Sequence, residues 1–366
     1  MEHTAAAIAQ KPIAASTKKE HLNELFPGLL LTLVFAAAAF ATWWLLKDTW
    51  LKFSALMWAF IYSIIASNLF PRTSHSSFTA GINFCSTRML RWAIALLGLT
   101  ISASVWSLLG GLGTAAVLIN LPFVLVFGFI FCRYVLKLDS SLAVLLGAGT
   151  GVCGATAIAA VGPAIKAKTE EMGLAVGAIT LFGLLAMFGY PLLFSGPLGS
   201  WLGNDPTAYG LWAGMGVHET AQVIAAGSQI DGALAVAVSA KFIRIFMIGP
   251  VIFISLMIFR KFSSKTAASE IKQSIPWFAV IFIVFTVLHW GLTTLPIRDA
   301  WLNLNGNLLK PAITFVMAWS FAAVGFKVKL STIRAMGPKA IIGGIVVALM
   351  AGSSALLLTK FLFMGS

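Results

Sequence analysis

Apolar residues in this chain come in long runs separated by short polar gaps. The runs lie at 27–46, 53–70, 92–109, 114–136, 173–195, 233–259, 276–294, 309–326 and 339–363. The hydrocarbon core of a bilayer takes about 20 apolar residues per helix, so each run predicts a spanning helix. Two further segments, 140–165 and 208–228, are hydrophobic but interrupted by glycines and polar groups. The pattern predicts an all-α polytopic membrane protein with about 9–11 helices. A polar tail at 1–26 precedes a single transmembrane domain at 27–366, and little is left for a soluble domain. The first run starts too deep for an ordinary signal peptide, so the chain is expected to keep its N-terminus.

Composition agrees. Of 366 residues, 59% are hydrophobic and 10% charged, and mean hydropathy is +0.93. Soluble domains carry about 25% charge, so a soluble enzyme is excluded. The net charge of +13 does not indicate a nucleic-acid module, because the basic residues sit in the gaps between apolar runs. That is how polytopic membrane proteins distribute positive charge. Twelve tryptophans, many near the ends of runs, suit the membrane interfaces. Cys85, Cys132 and Cys153 form no CxxC pair, so neither disulfides nor zinc are expected.

Four basic gaps fall on one side if the N-terminus is cytoplasmic: Arg72–Arg91, Arg133–Lys137, Arg260–Lys272 and Lys327–Lys339. The gap with Lys166 and Lys168 fits only if 140–165 enters the membrane and returns, with 208–228 doing the same from the other face. Otherwise both are broken helices that cross. The two segments also match each other: Gly149, Gly151, Val152, Ala160 and Gly162 align at one offset with Gly214, Gly216, Val217, Ala225 and Gly227. Gly98 to Gly110 more weakly matches Gly325 to Gly337. Repeats containing interrupted membrane helices, here expected to be inverted, are a mark of secondary transporters.

The chemistry concentrates in these segments. Gly147, Gly149, Gly151 and Gly154 permit irregular backbone and close approach. Amides freed at a half-helix N-terminus favour an anion, with Cys153 and Thr156 as added donors. No Lys follows to make this a phosphate loop. In the second segment Gly216 precedes His218, Glu219 and Gln222. Ionisable groups inside a membrane are functional by default, so His218 and Glu219 read as a proton- or ion-coupling pair and Gln222 as a substrate donor. A zinc protease would need His at 222. Lys241 and Arg244 share a helix face. They either snorkel to the interface, pair with Glu219, or contact an anion. Asn83, Asn120 and His289 are weaker candidates. No catalytic residue, metal ligand or cofactor site is assigned.

Gly81-Ile-Asn-Phe84 followed by Leu90-Arg91-x-Ala93-Ile94-x-Leu96-Leu-Gly98 resembles a stretch of the bacterial YeiH-like proteins of family UPF0324, a group also labelled sulfate exporters. Cys153-Gly-Ala-Thr156-Ala-Ile158 resembles that family's Cys-Gly-Ala-Ser-Ala-Ile signature, with Thr for Ser. His218-Glu-x-x-Gln222-Val-x-Ala-Ala-Gly227, Lys241-x-x-Arg244 and Ala322-Ala-Val-Gly325 with Gly337-Pro338 resemble its later motifs. The similarity runs from about residue 80 to the end. It implies a multi-pass bacterial inner-membrane protein with two inverted five-helix repeats, akin to bile-acid symporters and sodium–proton antiporters.

The expectation is a secondary transporter of a small anion, sulfate or a sulfonate, coupled to protons or sodium. Gly149, Gly151, Cys153, Gly154, Thr156, Gly216, Gln222, Lys241 and Arg244 would bind it, and a homodimer is allowed. The rivals are an intramembrane enzyme acting on a lipid-linked substrate and an ion channel.

Overall fold

The computed structural model describes residues 18–46, 53–70, 73, 75–101, 104–258, 277–331 and 337–365. All regular structure among them is helical. The helices are α1 (Lys18–Leu46), α2 (Ala55–Leu69), α3 (Ser76–Phe84), α4 (Leu90–Leu97), α5 (Ser104–Ile130), α6 (Ser140–Gly151), α7 (Ala155–Ile165), α8 (Thr169–Ser195), α9 (Pro197–Trp201), α10 (Pro206–Gly216), α11 (Thr220–Gly227), α12 (Ala233–Phe246), α13 (Ile248–Ile258), α14 (Trp277–Thr294), α15 (Arg298–Leu304), α16 (Lys310–Phe326) and α17 (Pro338–Leu358). Six helices are long and apolar enough to span a bilayer, or seven if α12 and α13, bent by 42°, count as one span.

Several expected boundaries move. The run at 92–109 is not one helix. Helix runs through α3, a π turn at Cys85–Met89 and α4, then tightens over Gly98–Thr100, and Ile101 is extended. Gly98 stops the run against α14, where a Cβ would fall 2.3 Å from the Phe282 carbonyl oxygen. The run at 309–326 extends back to Arg298 through a π turn at Asn305–Leu309. α1 starts at Lys18, inside the predicted tail, and residues 1–17 lie outside the described residues. So do Arg72, Arg260–Lys272 and Arg334.

The two interrupted segments fold back as helical hairpins. The start of α6 and the end of α7 meet beside the N-terminus of α8, where Ser140, Ser141, Ile165, Lys166 and Glu171 enclose one small polar pocket. Ser141 Oγ donates to Glu171 Oε1 at 2.6 Å. The second hairpin closes at the other end of α8. Pro206 and Gly232 adjoin there, Tyr209 Oη donates to the Ala226 carbonyl at 3.0 Å, and the Phe194 and Tyr209 rings lie 4.8 Å apart. α8, at 27 residues, is about 40 Å long and separates the two mouths. The mouths of the hairpins α6–α7 and α10–α11 therefore lie at opposite ends of α8. A loop at this depth is tolerated only when buried in protein or lining a cavity, and here α5, α8 and α12 surround both tips.

Candidate functional site: the meeting of two hairpin tips

α6 stops at Gly151 and α7 resumes at Ala155; α10 stops at Gly216 and α11 resumes at Thr220. The breaks fall at the same offset as the matched glycines. Gly154 sits at φ +69, a conformation that costs any other L-residue, and a Cβ there would lie 2.6 Å from Glu219 Cγ. The tips thus touch, and four half-helix ends converge. Each exposes backbone groups that the broken helix cannot satisfy.

The two C-terminal ends take their partners from α12. Arg244 Nε donates to the Gly151 carbonyl at 2.6 Å and Nη1 to that of Gly214 at 3.1 Å. Its guanidinium also donates to the carbonyls of Met215 and Thr150. Lys241 Nζ donates to the Val217 carbonyl at 3.1 Å and to that of His218. Both side chains are 0% exposed and lie about 12–17 Å along α12. That depth corrects the snorkelling alternative. The reach to carbonyls is what a cation offers at the negative end of a helix dipole. Among the described residues neither forms an ion pair with Glu219.

The N-terminal ends differ. Glu219 and Gln222 form a capping box at the start of α11, in which Gln222 Oε1 accepts from the Glu219 amide at 3.2 Å. Thr180 fixes this box from the middle of α8. Its hydroxyl donates to Glu219 Oε1 at 3.3 Å, and its carbonyl accepts from Gln222 Nε2 at 3.2 Å. The N-cap of α7 is Gly154, which has no side chain to offer, and the Cys153 sulfur before it takes the Ala157 amide. The first turn of α7 faces a cavity of about 450 Å³ whose wall includes Cys153, Ala155, Thr156, Thr180 and Glu219, with Arg91 from α4 and Lys327 after α16. Glu219 and Lys327 attract each other across it.

Of the residues the sequence singles out, Cys153, Thr156 and Glu219 line this cavity. Gly154 lies at its edge as the contact point of the tips. Gly149 and Gly216 serve packing: a Cβ would fall 2.0 Å from Ile179 Cδ1 and 2.6 Å from the Tyr190 ring, respectively. Gly151 presents its carbonyl to Arg244. Gln222, Lys241 and Arg244 direct their side chains at backbone. His218 is 1% exposed, lies off the cavity, and neither ring nitrogen reaches hydrogen-bond geometry, although the Gly216 backbone is close enough to interact. Asn120 ties α5 to α17 through Ser354 Oγ at 2.8 Å, and His289 Nδ1 accepts from Trp301 Nε1 at 3.0 Å. Sequence reasoning uses Arg91 and Lys327 only to orient the chain and passes over Thr87 and Thr180. Two basic residues flanking the motif-bearing runs were the available signal.

These features define a polytopic α-helical membrane protein built round two opposed helical hairpins. Residues 27–344 match the family model described as conserved hypothetical protein 698. A UPF0324 membrane protein of Pseudomonas aeruginosa is 34% identical over 90% of this chain and 92% of its own length. One from Bordetella bronchiseptica is 31% identical over 80% and 89%. The Escherichia coli K12 protein named UPF0324 inner membrane protein YeiH is 29% identical over 90% and 92%. The chain belongs to the UPF0324 membrane-protein family.

Proposed function

We propose that the protein is a secondary active transporter of a small anion in the bacterial inner membrane, with a cytoplasmic N-terminus. One observation carries the reading. The N-terminus of α7, where the weakly accepting Cys153 sulfur engages the Ala157 amide, opens into a cavity that also holds Arg91 and Lys327, whereas charged or amide side chains hold the other three half-helix ends at the crossing. Free amides at a positive helix end, with cations alongside, attract an anion. Cys153 and Thr156 stand at the same end as weak donors. Sulfate or a sulfonate is the substrate class that the family's sulfate-exporter label suggests.

Glu219 is the coupling group in this reading, because among the carboxylates of the described residues it alone faces the cavity while holding α11 in place. Protonation or sodium binding there changes the charge beside the anion and loosens the cap. His218, closed off behind it, is the second coupling group. The cavity lies toward the N-terminal end of α8, the end that carries Lys166 and Lys168. With the basic gaps cytoplasmic, as the distribution of positive charge implies, it opens inward. The re-entrant reading places Lys166 and Lys168 with the other gaps.

The test is anion flux into proteoliposomes under imposed proton or sodium gradients. Gradient-dependent, saturable uptake that Glu219→Gln abolishes while the purified variant keeps its elution profile is expected. Unaltered flux in that variant removes Glu219 from coupling. Flux that never saturates indicates a channel.

A further inference from the structure

The wall of the cavity limits what it accepts. Its charged side chains are Arg91, Lys327 and Glu219, a net charge of +1 with Glu219 ionised. Among the described residues Arg91 and Lys327 make no side-chain hydrogen bond or ion pair, so their charge is available to a ligand. Most of the remaining surface is apolar: Leu90 and Ile94 from α4, Val176 from α8, Phe278 from α14, and Val324 and Val328 around the end of α16. The space also continues. A second cavity of about 390 Å³ shares Val176, Thr180, Lys327 and Val328 with the first and runs along α8 past Gly177, Gly173 and Met172. A Cβ added at Gly173 would meet no atom within 4 Å.

A bare inorganic dianion suits these walls poorly. It would exchange its hydration for a small excess of positive charge, with Lys329 of the second cavity already donating to the Ser67 carbonyl, and for walls whose Ser86, Thr87 and Thr180 hydroxyls already donate within the protein, and the apolar extension would gain nothing from it. A monoanionic head on a short hydrocarbon body matches both parts. The head meets the α7 amides and Arg91, and the body displaces water from Ile94, Val176 and Phe278 and extends toward Gly173.

We propose that the substrate is an organic monoanion with a short apolar body, of the alkanesulfonate or alkanoate class, rather than inorganic sulfate. The proposal rests on the anion-transporter reading and narrows it.

The experiment is calorimetric titration of the purified full-length protein in detergent with sulfate, propane-1,3-disulfonate and the linear alkanesulfonates from methane- to hexanesulfonate. Each buried CH₂ strengthens binding about fourfold. The expected result is a Kd that falls by about that factor per carbon over the first three or four carbons. Propanesulfonate should then bind about tenfold or more tightly than sulfate. Gly173→Leu and Gly173→Phe fill the apolar extension without touching the head. Both should flatten the series and leave methanesulfonate unchanged. Glu219→Gln raises the net charge of the wall and should move preference toward the disulfonate.

Sulfate binding as tightly as propanesulfonate, or a series that is flat in the wild type, overturns the proposal and leaves the anion site standing. A series that stays steep in both filling variants overturns it too, because the chain then binds elsewhere. Heat from no anion at all, sulfate included, overturns the anion site itself.

Discussion

Arg244 is the residue whose role the structure changes most, and the change is measurable. Its guanidinium meets four carbonyls at the ends of α6 and α10 from a position fully closed to solvent. A buried acceptor left without a donor costs about 1–3 kcal/mol. Arg244→Lys keeps a charge but loses the planar fork, and a single ammonium cannot serve four acceptors on two hairpins. Two carbonyls lost puts the cost at about 2–6 kcal/mol. At roughly 2–4 °C per kcal/mol for a domain of a few hundred residues, melting should fall by about 10 °C. Arg244→Ala strips all four and leaves a void, a loss of about 4–12 kcal/mol. That is comparable to the whole stability of a typical domain, about 5–15 kcal/mol, so little folded protein is expected. The assay is thermal melting in detergent followed by size-exclusion chromatography, with and without a saturating anion. In the clamp reading the Lys variant melts early, and the folded fraction still gains stability from the anion. An Arg244→Lys protein with wild-type melting that no longer responds to anion would refute the clamp and make Arg244 a ligand contact.

Gly154→Ala places a side chain in a left-handed conformation against Glu219, so melting should drop by an amount equivalent to about 1–2 kcal/mol and flux should be lost; retention of both in a liposome assay would contradict the touching tips. Gln222→Ala removes half of the α11 capping box and should cost about 1 kcal/mol in a melting comparison. Gly352→Ala would put a methyl 2.2 Å from Tyr190 Oη, pushing that ring off Trp212, on which it stacks at 4.2 Å, so a melting point equal to wild type would be inconsistent with the packing. Thr156→Cys, exposed in the cavity, should react with a membrane-impermeant maleimide only from the cytoplasmic face, while buried Cys85 and Cys132 stay unlabelled. Labelling from the periplasmic face instead would reverse the orientation.

Much of this architecture is legible in the chain. Long apolar runs announce spans because the bilayer sets their length. The glycine clusters at 147–154 and 214–216 mark the two breaks, and the Lys166 gap favours re-entry once all positive charge is placed on one side. The roles of individual residues are less legible, for a physical reason. A cation deep in an apolar run needs a negative partner, and the sequence shows only the carboxylates. The partners of Lys241 and Arg244 are backbone carbonyls freed by the breaks, and those exist only after two distant hairpins have met. The glycines at 149 and 216 mislead similarly: a small residue that admits a ligand and one that admits Ile179 or Tyr190 look the same in one dimension. Arg91 passes unnoticed as a site residue because α3 and α4 form one continuous helical stretch that carries it to the cavity, whereas the apolar run begins just after it.

The four helix ends also tie the fold to the proposed transport. Each break exposes one negative and one positive end, so two hairpins present two of each at the same depth. The negative ends are neutralised permanently by side chains of α12, which fixes the hairpins to that helix. The positive ends are treated unequally. Glu219 and Gln222 hold that of α11, while that of α7 has the Cys153 sulfur at the Ala157 amide and otherwise faces the cavity. An exchangeable anion is the natural complement of the unfilled end, and its binding is felt at Glu219, which touches Gly154 at the same turn. A ligand at α7 and a cation at Glu219 therefore act on one electrostatic unit, and binding of either favours the other. That is the linkage a coupled transporter requires, and it predicts that a cation raises anion affinity by the same factor as the anion raises affinity for the cation. Titrating each in the presence of the other measures both factors. Factors of one would leave Glu219 a cap and nothing more.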